Sequence, residues 1–107
     1  MDEDKRITVG HWLTKAENDM EMAQRALEWA PIITDMACFH AQQCAEKSLK
    51  AFLVFMDSHV DQIHDLGKLV GKCDVLDPSF SNLHPLVAGM TRYAVKDRYT
   101  DDWREIL

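Results

Sequence analysis

The 107-residue chain is of single-domain length, and its 47% apolar content excludes a disordered polymer. A formal net charge of −6, from 18 acidic and 12 basic residues, excludes a surface that binds nucleic acid everywhere, because such binding rests on cations neutralising phosphates. A small local basic site remains compatible with that balance. Gly and Pro are scarce, at 4 and 3, and β-branched residues form no alternating runs, so an all-α fold is expected. The three cysteines, Cys38, Cys44 and Cys73, form no CxxC pair, which fits buried free thiols in a reducing, cytoplasmic setting. The charged start, Met1 to Arg6, is not expected to act as a secretory signal, and no apolar run reaches membrane-spanning length.

The first helix is predicted to begin after Thr8 as N-cap and to end near Ala30, before Pro31. Leu13, Ala16, Met20, Ala23 and Leu27 recur at steps of 3 and 4 and form its expected seam, widened by Trp12 and Ala26. Glu17, Asp19, Glu21 and Arg25 are expected to face outward. A short connector leads to a second helix, capped by Thr34 or Asp35 and running to about Met56 or Asp57. So short a link makes the two helices antiparallel neighbours.

The second helix carries the most information. One row is small and apolar: Ala37, Ala41, Cys44, Ser48, Ala51 and Phe55. Beside it run Cys38, Ala45, Leu49, Phe52 and Met56. Opposite lies a polar row, His40, Gln43, Lys47 and Lys50, at i, i+3, i+7 and i+10, which stacks these groups on one face. Residues 57–63 read as a loop. His64-Asp65-Leu66 opens a third helix with Leu66, Leu69, Val70 and Cys73 inward. Asp77-Pro78 reads as a cap with Pro at the first helical position, starting a turn before the fourth helix. That helix should bury Leu86, Val87, Met90 and Ala94 and end near Arg98-Tyr99. Thr100 or Asp101 could cap a further helix.

Four segments in this order resemble the HEPN domain family of small prokaryotic helical proteins: Trp12-Leu13-x-Lys15-Ala16-Glu17-Asn18-Asp19-Met20, Phe39 to Ala51, His64-Asp65-Leu66, and Tyr93-Ala94-Val95-Lys96-Asp97-Arg98-Tyr99. The likeness spans about residues 12 to 103, so residues 1–107 are treated as a single HEPN-like domain. It implies an up-and-down antiparallel bundle of four main helices, commonly a homodimer. It also implies a frequent partnership with a small nucleotidyltransferase protein as a toxin–antitoxin pair. Some members are metal-independent endoribonucleases, and others bind nucleotides or scaffold a partner.

The ribonuclease branch uses an Arg followed after four to six residues by a His near the start of the last long helix. Here neither Arg92 nor Arg98 is followed by any His; the one such spacing, Arg6 to His11, lies where the family does not use it. The family's Arg-Tyr-Pro is Arg98-Tyr99-Thr100 in this chain. The family usually adds one more helix, so the final helix is expected to be shortened or absent, exposing apolar surface.

The candidate nucleotide- or RNA-binding residues are Lys47, Gln43, Arg98 and Tyr99. Arg forks onto phosphate, and Tyr stacks on a base. Their alternatives are a helix-terminal Arg paired with Asp97 or Asp101, and a Lys47 paired with Glu46 or another carboxylate. Were the chain a ribonuclease, Arg98 would stabilise the phosphorane, and His40 or His64 would take the proton. His40 and Gln43 equally read as buried polar groups satisfied between helices, and His64-Asp65 as a helix cap. No metal site, Gly-rich phosphate loop or cofactor is expected. Three functions follow: the HEPN partner of a nucleotidyltransferase with a polar groove for nucleotide or RNA, an endoribonuclease toxin, or a non-catalytic helical adaptor.

Overall fold

A computed structural model describes residues 1–60 and 62–90; Ala94, Arg98, Tyr99 and the tail from Thr100 lie outside the described residues. The chain is an all-α bundle. Its elements are α1 (Glu3–Glu28), α2 (Thr34–Phe55), α3 (Leu66–Leu76), a short 3-10 turn (Pro78–Leu83) and α4, helical from 84 to the last described residue, 90. No helix among the described residues is long and apolar enough to cross a membrane.

α1 starts six residues before the predicted point. Asp2, not Thr8, is the N-cap: its carboxylate accepts from the Lys5 amide at 2.8 Å, and Glu3 and Asp4 add negative charge to the first turn. Thr8 lies inside the helix, where its hydroxyl donates to the Asp4 carbonyl at 2.9 Å. The helix ends at Glu28, and the Ala30–Pro31 peptide is cis.

α2 begins at Thr34 without a side-chain cap, so neither Thr34 nor Asp35 caps it; the Ala37 amide donates to the Ile33 carbonyl at 3.1 Å instead. Its far end closes in a Schellman motif. The Asp57 amide donates to Val54 and the Ser58 amide to Leu53, with Asp57 left-handed at φ 59°. α1 and α2 are antiparallel: Lys5 reaches Asp57 at 3.0 Å at one end, and the Ile33 amide meets the Ala26 carbonyl at 3.0 Å at the other. Asp65 caps α3 through the Lys68 amide at 3.1 Å, and Asp77 caps the 3-10 turn through Ser79, as expected of both.

The apolar core joins α2, α3 and α4: Leu49, Leu53, Leu66, Leu69, Val70, Cys73 and Val87, with Phe52, Phe80 and Leu83 against it. Leu86 is corrected: it is 64% exposed, because Val87 occupies the helix side turned to α2 and α3. α1 takes no part in that core. Only Ala16, Asp19 and Ala23 of α1 are buried, while Leu13, Met20 and Leu27 of its predicted seam stay about half exposed. The α1–α2 contact is therefore a close alanine seam with a carboxylate in its middle. On α2, Ser48 and Phe55 are exposed rather than inward, and Cys38 and Cys44 are half-buried; only Cys73 is a fully buried thiol.

Candidate functional site

Two charge clusters lie along the polar row of α2. In the first, Asp19 of α1 projects between two groups of α2. One carboxylate oxygen accepts from His40 Nδ1 at 2.8 Å, and the other accepts from Lys47 Nζ. A carboxylate only accepts, so this contact places a proton on His40 Nδ1. Burial pushes the Asp19 carboxyl up; the hydrogen bonds and charges of Lys47 and His40 outweigh it and hold the group below the ordinary carboxylate range. The expectation that Asp19 faces outward is overturned. Trp12, Ala16, Asp19, Ala23 and Ala26 form an uninterrupted 4-3-4-3 series, and that series, not the one through Leu13 and Met20, turns to α2. The carboxylate is tolerated there because its two oxygens meet two donors.

The second cluster follows one turn on. Glu46 and Lys50, both buried, pair at 3.1 Å, and the Lys50 ammonium lies 5.4 Å from the centre of the Trp12 ring. Glu46 also receives His64 Nδ1 at 3.0 Å. The His64 side chain is 72% exposed, so a buried carboxylate orients an imidazole that faces solvent. The carboxylate beside His64 is thus Glu46, while Asp65 serves only as cap. Among the described residues every buried side-chain nitrogen and oxygen has a hydrogen-bond partner.

Of the candidate residues, the structure joins His40 and Lys47 through Asp19. Gln43 lies half-buried on the same face, one turn from Lys47. Lys47 keeps 23% of its side chain exposed, and Lys50, at 5%, is committed to the interior. Arg6, of the stray Arg6–His11 spacing, is taken by Glu3 at 2.8 Å on the outside of α1. Among the described residues no group of three His, Cys, Asp or Glu is placed to hold a metal. An apolar hollow of about 330 Å³ lies elsewhere, between Cys38, Ala41 and Gln42 of α2 and Gly89 and Met90 of α4; its lining suits side-chain packing, not phosphate.

The family model of the HEPN domain matches residues 9–105. The chain belongs to the HEPN domain family. No curated protein and no solved structure matches it. The match covers all four motif segments, so this HEPN chain places two of them, around Asp19 and around His40 to Lys50, face to face across the α1–α2 seam. At the spacing of the cleaving HEPN branch, Arg92 is followed by Asp97, Arg98 and Tyr99, and Arg98 by Trp103, Arg104 and Glu105.

Proposed function

We propose that this HEPN protein works as the homodimeric, cytoplasmic partner of a small nucleotidyltransferase in a toxin–antitoxin-like pair. It holds a nucleotide or an RNA segment at a polar groove formed by Lys47, Gln43, Arg98 and Tyr99. One observation carries the reading: HEPN membership over residues 9–105 without a His at the cleaving spacing after Arg92 or Arg98. Lys47 supports it, being the polar-row cation that retains solvent exposure. Arg98 supplies the planar fork that suits phosphate, and Tyr99 a ring on which a base can stack.

Titration with fluorescent ATP and with an end-labelled RNA oligomer tests the groove. Arg98→Ala is expected to lose on the order of tenfold or more in affinity, the scale of one charge-assisted phosphate contact. Unchanged binding by Arg98→Ala removes the site.

A ribonuclease reading draws on a different observation, the two imidazoles held by carboxylates: His40 on Asp19 and His64 on Glu46. Of these His64 faces solvent and is the better proton acceptor by access. RNA incubated with the protein and a chelator is expected to stay intact. Cleavage that disappears in His64→Ala would reverse the order of the two readings.

A further inference from the structure

We infer that Asp19 is a built-in competitor for the phosphate at Lys47, so that ligand binding is held down by a carboxylate of the protein itself. The inference rests on the proposed groove and adds how that groove is regulated. Lys47 is the cation of the polar row with an exposed flank, yet its ammonium already donates to Asp19. The second Asp19 oxygen takes His40 Nδ1, so that imidazole donor is occupied as well. The charges of Asp19 and Lys47 cancel, so this pair offers an incoming anion no net attraction. A phosphate oxygen presents the same chemistry to Lys47 as an Asp19 oxygen does: an anionic acceptor for an ammonium. The ammonium has further N–H groups to give, so what the two compete for is its positive charge, which Asp19 already neutralises.

The arrangement also fixes the sign of a substitution. Asn in place of Asp19 keeps the shape and an oxygen that accepts from Lys47, and it removes one negative charge beside the donor. The cluster then carries the uncancelled charge of Lys47. At a partly screened site a unit charge a few ångströms away changes anion affinity by on the order of tenfold.

The experiment compares the parent, Asp19→Asn, Lys47→Ala and the double variant by fluorescence anisotropy. One arm uses fluorescent ATP and the other an end-labelled RNA oligomer, which separates a free nucleotide from a polymer as the source of the phosphate. Glu17→Gln, the same change of net charge on the exposed side of α1, is the control. Asp19→Asn is expected to bind on the order of tenfold more tightly than the parent. The gain should vanish in the double variant and be absent in Glu17→Gln. A parent that binds alongside an Asp19→Asn that binds no better would overturn the competitor role and leave the groove standing. A gain that survives Lys47→Ala would also overturn it, since the charge would then act on the whole surface. Absence of binding in every variant would remove the groove itself. Thermal melts establish that each variant is folded, and Asp19→Ser gives the same readout should Asn not be accommodated.

Discussion

Asp19 is buried on α1 between Ala16 and Ala23, and its presence ties the α1–α2 contact to pH. Its folded-state carboxyl sits below the ordinary value of 3.8, through Lys47 and His40 acting against burial. A depressed carboxyl adds stability that is fully present above the unfolded value and is lost as pH falls through the folded one. The parent should therefore lose stability more steeply than Asp19→Asn from about pH 5 downward, as read by urea midpoints at successive pH values. Equal slopes for the two would mean that Asp19 titrates alike in both states. The polar partners on α2 were readable in the sequence, because His40, Gln43, Lys47 and Lys50 line up by spacing alone. The partner on α1 is not legible from spacing, since an acid among Glu17 and Glu21 looks like part of a solvated face. The signal lay in its neighbours: Ala16 and Ala23 bracket it at helical steps, and small residues mark close approach. Glu46 escaped for the same reason, as a charged residue beside Lys47 that proves to be 7% exposed and to hold Lys50 and His64.

At the level of helices, the ends obeyed side-chain chemistry where a short acid preceded the first turn. Asp65 and Asp77 announced their caps, whereas the cap of α1 is Asp2, upstream of the expected start at Thr8, which lies closer to the apolar pattern. The end of α2 near Met56 is legible in the sequence, but its Schellman turn is not, because it uses Asp57 where a glycine is usual. A non-glycine residue at φ 59° carries backbone strain, although Asp tolerates this region better than most. Against it stands the Lys5–Asp57 ion pair, whose Asp side chain is 79% exposed and which is correspondingly weak. Relief of strain should win: Asp57→Gly is expected to raise stability by about 0.5–1 kcal/mol in denaturant unfolding. A lower midpoint would show that the Lys5 pair outweighs the backbone.

Across the described residues the burial is lopsided. The aliphatic cluster belongs to α2, α3 and α4, whereas α1 is held by alanines, the Asp19 and Lys5 pairs, and Lys50 against Trp12. Amide exchange should follow that division. Amides near Leu49, Leu53, Leu69 and Val70 should open only with global unfolding, while those of α1 should open at lower cost. Equal protection in α1 and α2 would show that the seam is as strong as the core. Ala16 and Ala23 stand one heptad apart, so these two methyl groups alone do not fix the alignment of the hairpin. Slid by seven residues in either direction, α1 would set Trp12 or Ala26 against His40 and Lys47 and strand both donors. One carboxylate thus serves as a notch in a key: together with Trp12 over Lys50, it selects one alignment of the two surfaces.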